Sequence, residues 1–311
     1  MANLTRRSFI AVSAAAGFVP GIANAREVAT WRGVALGARA EIRISGTAQA
    51  AAAPVLGAIV DEISRLEDIF SLYRPNSAIS RLNLHGELDA PPSELLQVFS
   101  IAVALHDATD GAFDPTIQAF WRLAAEAAQR DTWPAPAEIA DAQRKINWKA
   151  VQFDSGRVAF ARPGMSITLN GIAQGFITDR IAEKLRAFGL KDVLVDMGEL
   201  RAIGAGPSGA PWRAAIADPD GGPPIKRVVL RERALATSAP HGTILDRSGS
   251  VGHIFDPRTC SLATGAKQVS VSAPTAAVAD GLSTAFCLLD QQQIASALRL
   301  VEGARLEKLI I

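Results

Sequence analysis

The sequence predicts an α+β fold in one domain, with a mixed, largely antiparallel sheet and flanking helices. Helical patterns are concentrated in the first half of the chain and short strand patterns in the second half, which is the order expected of an α+β domain. No internal repeat, low-complexity run or clear linker divides the chain. With 311 residues, 49% of them hydrophobic, the chain is long enough to bury a sizeable core.

The first 25 residues predict an export signal rather than part of the fold. Arg6 and Arg7 precede an apolar run from Phe9 to Val19, and Ala23-Asn24-Ala25 resembles a cleavage site. The paired arginines and the weak, alanine-rich run favour a twin-arginine signal over an ordinary secretory signal. We therefore expect residues 1–25 to be removed and residues 26–311 to form a periplasmic domain, exported already folded.

Charge and cysteine content exclude several classes of function. The formal net charge is +1, so the composition predicts no nucleic-acid partner, and the short apolar run of the signal cannot span a membrane. Cys260 and Cys287 are the only cysteines and show no metal-ligand spacing. Free buried thiols are expected in preference to a disulfide, although an oxidising compartment would permit one.

Hydrophobic periodicity locates the main helices. Apolar residues at helical spacing predict a helix over 48–70, ended by Pro75-Asn76-Ser77. Ser93 is expected to cap a second helix. Further helices are predicted over 171–188, 275–289 and 294–300.

Strand patterns fill most of the remaining sequence. Val151–Phe153 and residues 158–160 predict a hairpin around an Asp-Ser-Gly-Arg turn. Gly204 to Gly209 matches G-x-G-x-x-G but leads toward a strand instead of a helix, so it is expected to be a loop and not a dinucleotide site. Further strands are predicted at 40–44, 167–169, 193–195, Leu200–Ile203, Trp212–Ile216, 228–230, 253–255 and 269–272.

Two stretches carry candidate binding chemistry. In LNGIAQGFITDR, Gly171 and Gly175 allow close approach of a ligand at a helix start, where a phosphate could bind, although tight strand–helix packing is an equal alternative. In VADGLSTAF, Asp280 and Thr284 lie four residues apart on one face of a mostly apolar helix. Carboxylate and hydroxyl oxygens suit Mg²⁺, whereas spacing alone also permits a local hydrogen bond.

The stretch HIFDPRTC holds an imidazole, a carboxylate and a guanidinium within six residues, at His253, Asp256 and Arg258. It predicts either a working site or a charged turn that contains a histidine. An ion pair between Asp256 and Arg258 would favour the turn.

In their order along the chain, eight blocks resemble the ApbE family, the FAD:protein FMN transferases. The resemblance covers essentially the whole chain after the signal. The blocks are FSLYRPNSAISRLN, GAFDPTI, LNGIAQGFITDR, VDMGELRAIG, PWRAAIADP, ALATS, HIFDPRTC and VADGLSTAF.

The resemblance implies an activity and a set of site residues. The family cleaves FAD and attaches FMN through a phosphodiester bond to a Thr or Ser of a client flavoprotein, with Mg²⁺ as cofactor and FAD as substrate. The implied metal ligands are Asp280, Thr284 and the carbonyl of Gly171, and the implied catalytic residues are His253 and Asp256. The implied cofactor-binding residues are Leu36, Tyr73, Ala112, Phe113, Asp114, Thr168, Gln174, Ile254 and Arg258.

The sequence also departs from the family pattern. Thr168 stands where the family has Asp, Gln174 where it has Lys and Cys260 where it has Gly, and Glu199 follows Gly198 where the family carries one more glycine. The alternatives are therefore an FAD-binding scaffold that no longer transfers FMN, or an FAD pyrophosphatase. The pattern of these blocks is similar to the NosX branch, which implies a NosR-like membrane protein as client in nitrous-oxide respiration.

Overall fold

A computed structural model describes residues 26–311; the predicted signal, residues 1–25, lies outside the described residues. Within them the chain forms eight α-helices and fourteen strands. The helices are α1 Gln49–Phe70, α2 Ala78–His85, α3 Ser93–Ala108, α4 Gln118–Ala128, α5 Pro136–Gln143, α6 Ala173–Ala187, α7 Ala276–Phe286 and α8 Gln291–Leu300. The strands are β1 Val28–Ala35, β2 Ala38–Ser45, β3 Glu87–Asp89, β4 Val151–Phe153, β5 Arg157–Phe160, β6 Val193–Asp196, β7 Leu200–Ile203, β8 Trp212–Ile216, β9 Lys226–Leu230, β10 Arg233–Ser238, β11 Phe255–Asp256, β12 Ser261–Leu262, β13 Gln268–Ala273 and β14 Arg305–Ile310.

A seven-stranded sheet forms the centre of the molecule. Its order is β1-β2-β6-β7-β10-β13-β14, and all neighbouring pairs in it are antiparallel. Helices α1, α6 and α7 pack on this sheet, and α6 and α7 contact each other closely. The α+β fold class predicted from the sequence is confirmed.

The long helix α1 is held by its apolar stripe. Ile59, Ile63 and Leu66 recur at helical spacing and are at most 4% exposed. Phe70, at the end of the helix, packs edge-to-face on Phe176 of α6 with ring centres 5.5 Å apart. This contact joins the first half of the chain to the helix that follows the glycine turn.

A small layer built on the β8–β9 hairpin covers the sheet near β7 and β10. Trp212 and Leu230 lie in its core with Leu200 and Leu235 of the central sheet. The indole of Trp212 donates a hydrogen bond to the Ile203 carbonyl at 3.0 Å. The glycine-rich stretch between β7 and β8 is a loop between strands, as the sequence predicted.

Several elements differ from the sequence predictions. Ser93 is the first residue of α3 and makes no capping bond, because Pro92 occupies the N-cap position. Residues 167–169 pair with no strand of the described chain. β1, β10 and β14 were not predicted, and the strand predicted at 253–255 is the two-residue β11. Across residues 26–311, no helix is long and apolar enough to cross a membrane.

Candidate active site

The first turn of α7 is fixed by a carboxylate from α6. Asp179, 6% exposed, accepts hydrogen bonds from the backbone N–H groups of Ala276 and Ala277 at 2.8 and 2.9 Å. The positive end of the helix dipole favours a negative charge there. Arg201 of β7 completes the contact, with its Nε 3.4 Å from the same carboxylate. The two helices are thereby held in one orientation.

Gly175 allows the two helices to approach to backbone contact. A β-carbon at this position would lie 2.3 Å from the Ala276 carbonyl oxygen, so a larger residue would push the helices apart. The freed space lets the Gly175 N–H donate a hydrogen bond to Oδ2 of Asp280 at 3.1 Å. The second glycine of the turn therefore serves tight packing and also orients a predicted metal ligand.

The two other predicted metal ligands meet at the same place. A β-carbon at Gly171 would lie 3.1 Å from Oγ1 of Thr284, so the glycine turn closes directly over this hydroxyl. Oγ of Ser238, at the end of β10, lies 3.3 Å from the Thr284 hydroxyl and 2.7 Å from the Ser283 hydroxyl. The structure thus brings Gly171, Asp280 and Thr284 together at the start of α6 and the middle of α7.

Burial dominates the electrostatics of this junction. It raises the pKa of Asp280 to about 7, against the lowering effect of the Gly175 N–H. It also raises the pKa of Glu199 well above its usual range, with the nearby Asp280 and Asp196 adding to the effect. Ionisation of these two carboxyls is therefore unfavourable in the buried site, and a bound cation would favour their charged forms.

The donor set fits a hard divalent cation. A carboxylate, a hydroxyl and the carbonyl of a glycine turn that a β-carbon would fill are the oxygen ligands that Mg²⁺ accepts. Among residues 26–311, no three His, Cys, Asp or Glu side chains are grouped as a metal site. Hydroxyl and backbone oxygens would therefore have to supply part of the coordination.

The GAFDPTI block lies next to the glycine turn. The N–H of Thr168 donates to the Pro115 carbonyl at 2.9 Å, and the Thr168 hydroxyl accepts from the Asn170 N–H at 3.2 Å. Asp114, 8% exposed, accepts from the backbone N–H groups of Thr116 and Trp148. Burial raises the pKa of Asp114 despite these bonds. Through the bonds to Thr116 and Trp148, the Asp114 side chain joins two segments next to the glycine turn.

The FSLYRPNSAISRLN block is hydrogen-bonded to the segment that leads into the glycine turn. The amide of Asn83, in α2, donates to the Ile167 carbonyl at 2.8 Å and accepts from the Ile167 N–H at 2.7 Å. These two bonds replace the strand partner that the sequence had predicted for residues 167–169. The Asn83 side chain, in place of a neighbouring strand, therefore holds the segment that leads into the glycine turn.

His253 is held by the loop that follows β10. Its Nδ1 lies 3.1 Å from the Pro240 carbonyl, two residues beyond the Ser238 that contacts Thr284. Burial lowers the pKa of His253, although the Pro240 and Thr243 carbonyls favour its charged form. A neutral ring that donates Nδ1–H to Pro240 has Nε2 as a proton acceptor.

Asp256 and Arg258 form a closed pair in the HIFDPRTC turn. Oδ1 of Asp256 accepts from Nε of Arg258 at 2.9 Å and Oδ2 accepts from Nη2 at 2.6 Å. Arg258 also donates to the Leu288 carbonyl beyond the end of α7. This arrangement favours a turn-shaping role, although Asp256 was predicted among the catalytic residues.

Cys260 ends that turn in an unusual conformation. Its φ is +54°, in the left-handed region that favours glycine, which is the residue of the family pattern at this position. The side chain is 3% exposed and packs with Phe120 and Phe255. Both cysteines are free thiols, as predicted from the sequence.

The remaining predicted cofactor-binding residues lie in several elements and differ in exposure. Ala112, Phe113 and Ile254 are buried, whereas Tyr73 is 62% exposed. Leu36 has a φ of +47° and donates its N–H to the Glu67 carboxylate at 2.7 Å. Nε2 of Gln174 lies 3.0 Å from the point where a β-carbon at Gly198 would stand.

Sequence reasoning missed four residues of the junction. Asp179, Ser238 and Ser283 lie within recognised blocks, but nothing in their spacing indicated contact between α6, α7 and β10. In the sequence, Glu199 stands out only as the place where a family glycine is missing, and its burial depends on how β7 packs. The common cause is that these contacts join segments far apart in sequence.

The family model described as the ApbE family matches residues 36–308, which include every block that forms the junction. The chain belongs to the ApbE family. Relatives include the FAD:protein FMN transferase of Haemophilus influenzae, 28% identical over 239 residues that cover 72% of this chain and 69% of the relative. The FAD:protein FMN transferase of Treponema pallidum is 29% identical over 264 residues, covering 78% and 73%.

Solved ApbE structures share the fold. The ApbE protein of Thermotoga maritima superposes with a TM-score of 0.80 at 28% identity, covering 90% of this chain and 93% of that one. The flavin transferase ApbE of Vibrio cholerae has a TM-score of 0.78 at 24% identity, with 88% and 91% covered. The ApbE fold thus extends over nearly all of the described residues.

Proposed function

We propose that this chain is an exported, Mg²⁺-dependent FAD:protein FMN transferase. It breaks the pyrophosphate bond of FAD, attaches FMN through a phosphodiester bond to a Thr or Ser of a client flavoprotein, and releases AMP. The observation that carries the proposal is the meeting of Gly171, Asp280 and Thr284 at one buried junction in a chain of the ApbE family. The names of the relatives supply the reaction class.

The ion would be held by the Asp280 carboxylate, the Thr284 hydroxyl and the Gly171 carbonyl. When bound, it supplies charge neutralisation at a pyrophosphate. The N–H of Gly175 orients Asp280, and the contact of Ser238 with Thr284 orients the hydroxyl. These two hydrogen bonds hold the Asp280 and Thr284 side chains in place before substrate binds.

His253 is proposed to accept the proton of the incoming client hydroxyl. Its ring is anchored through Nδ1 by Pro240, and the lowered pKa keeps the imidazole neutral near pH 7. Asp256 holds Arg258 in place within the same turn. The flavin and adenine contacts are assigned to Leu36, Tyr73, Phe113, Thr168, Gln174 and Ile254 with their neighbours in the family blocks.

The proposed location is the periplasm, reached by the twin-arginine route, and the proposed client is a NosR-like membrane protein. Residues 6–9 of the signal and the V-D-M-G-E-L-R pattern support this assignment. Labelling of a NosR-like domain, but not of an unrelated client domain, would support the branch assignment. Labelling of both would leave only the transferase proposal.

The direct test is to incubate residues 26–311 with FAD, Mg²⁺ and a client domain and to examine a denaturing gel under ultraviolet light. A fluorescent client band supports transfer. Free FMN without a labelled client supports an FAD pyrophosphatase, and bound FAD with neither product supports a scaffold. Thr168 and Gln174, which replace family residues, are the reason to keep these two alternatives in the test.

Two variants assign roles within the site. Asp280→Ala should reduce metal-dependent turnover at least about a hundredfold, because it removes the only ionisable side chain among Asp280, Thr284 and the Gly171 carbonyl. His253→Ala should slow transfer by about a hundredfold or more with FAD binding retained, as expected of a lost general base. Unchanged turnover in the first variant would remove the metal assignment, and in the second would leave His253 a structural residue.

A further inference from the structure

One buried carboxylate at the junction has no role in the proposed set of ligands. Glu199 is 7% exposed, and its Oε2 has no hydrogen-bond partner among the atoms of residues 26–311. A buried carboxylate oxygen without a partner loses its hydration and gains nothing in return. Such an atom in a well-packed interior indicates a ligand that completes it.

The backbone around Glu199 is fixed on three sides. Its carbonyl accepts from the Thr178 hydroxyl of α6 at 3.4 Å and from the Met197 N–H at 3.1 Å. The backbone of Thr237 in β10 lies close enough to its carboxylate to favour the charged form. Thr237 directly precedes Ser238, whose hydroxyl contacts Thr284. Glu199 therefore lies on the sheet side of the junction, and Asp280 and Thr284 lie on its α7 side.

The two charged side chains that act on the ionisation of Glu199 are both acidic. Asp280 and Asp196 both act on it electrostatically, and no cation of the described chain is among the groups that shift its ionisation. Gln174 of α6, which packs against the adjacent Gly198, is neutral. A divalent cation held by both the Glu199 and the Asp280 carboxylates would favour their ionised forms and give the free oxygen a partner.

We propose that Glu199 is a further ligand of the divalent cation held by Asp280 and Thr284, bound through Oε2 directly or through one coordinated water. The inference rests on the proposed function, since it concerns the same ion. An added carboxylate strengthens binding of a hard cation, because affinity rises with the charge of the ligand set. It also gives the unpartnered oxygen a purpose that the metal-free fold lacks.

The test uses Glu199→Gln, which keeps the shape of the side chain and removes its charge. Binding of Mg²⁺ and Mn²⁺ to residues 26–311 is measured by calorimetry, and Tm is measured with EDTA and with saturating Mg²⁺. The expected result is a loss of metal affinity of about tenfold or more. In EDTA the variant should melt at about the same temperature as the parent, because glutamine keeps the shape of the side chain and adds no buried charge. The Tm gain on adding Mg²⁺ should shrink.

Two controls separate the possible outcomes. Asp196→Asn removes a half-buried carboxylate from the same turn. Its Oδ1 is already bonded to the Gly198 N–H, so affinity should change by less than about threefold. An equal loss in Asp196→Asn and Glu199→Gln would indicate a general charge effect and overturn the inference. Asp280→Ala should abolish binding.

If Asp280→Ala abolishes binding while Glu199→Gln binds metal as the parent does, the inference fails and the proposed ion site stands. If Asp280→Ala binds normally, the ion site itself is wrong and the inference falls with it. A Glu199→Gln protein that binds metal poorly and also melts lower in EDTA would show a structural role for Glu199. That result too would overturn the ligand assignment.

Discussion

Single residues decide how closely the elements of this site approach. At Gly175, a β-carbon would stand 2.3 Å from a backbone carbonyl of α7, and a backbone atom cannot move aside as a flexible side chain can. The same glycine orients Asp280 through its N–H. Packing and ligand geometry therefore depend on one missing methyl group.

Gly175→Ala should lower the free energy of unfolding by about 2–4 kcal/mol, because α6 and α7 must separate. The measurement is urea denaturation of residues 26–311. Gly57→Ala is the matched control, since Gly57 lies exposed in α1 with no atom within 4 Å of an added β-carbon. That control should stabilise the protein by about 0.5–1 kcal/mol. Equal effects of the two substitutions would contradict the packing argument.

Cys260 shows a different single-residue conflict, between burial and backbone conformation. At φ +54°, the left-handed backbone conformation costs any residue with a β-carbon about 1 kcal/mol of folding free energy. We expect Cys260→Gly to be at least as stable as Cys260→Ala in urea denaturation, although glycine fills less of the core. The reverse order, which is usual at buried positions with ordinary φ, would show that the turn is not strained.

At the scale of elements, α1, α3 and α6 are tied together by one charged cluster. Glu62 of α1 accepts from Arg65 at 2.8 Å and from Lys184 of α6 at 3.0 Å, and Arg65 also reaches Glu94 of α3. The Arg65 hydrogen bond is the main cause that lowers the pKa of Glu62 to about 2 from its ordinary value near 4.5.

This depressed pKa gives a prediction with a defined sign. Ionised Glu62 stabilises the fold above about pH 4.5, and the contribution is lost as the pH falls toward 2. Glu62→Gln should therefore cost about 1 kcal/mol of unfolding free energy at pH 7, reduced by solvent screening, and almost nothing near pH 2.5. Glu183→Gln, which removes an exposed pair with Arg180, is the control. A pH-independent loss in Glu62→Gln would contradict the ion-pair explanation.

At the scale of the whole molecule, the two cysteines lie in separate parts of the core. Cys260 packs in the cluster with Phe120 and Phe255, and Cys287 in the main core between the sheet and the helices. Burial raises the pKa of the Cys260 thiol to about 11 and that of Cys287 further. Reaction of either thiol therefore requires the fold to open.

We expect no rapid reaction of the native protein with a thiol reagent and two thiols per chain once it is unfolded without reductant. The measurement is a colorimetric thiol count before and after denaturant. A count of zero in denaturant would reveal a disulfide and contradict the separate placement of the two residues. Because the count needs no activity, its outcome is independent of the proposed function.

Sequence patterns alone predict the fold class, the hairpin of Val151–Phe153 with Arg157–Phe160, the main helices, and the placement of Asp280 and Thr284 on one helix face. These follow from local periodicity, turn residues and spacing, which act over a few residues. The sequence also placed every block of the family in order. It did not predict β1, β10 or β14, since a strand in a large sheet is stabilised by partners far away in sequence.

Three contacts of the site are visible only in the folded molecule. Ser238 contacts Thr284, Asp179 fixes the start of α7, and Asn83 holds the segment 167–169. The burial of Glu199 with an unpartnered carboxylate oxygen is also visible only in the folded structure. Each of these depends on the approach of elements that are distant in sequence, where a shift of one ångström makes or breaks a hydrogen bond. Spacing along the chain carries no information on such distances, so the chemistry of the junction is a property of the packed molecule.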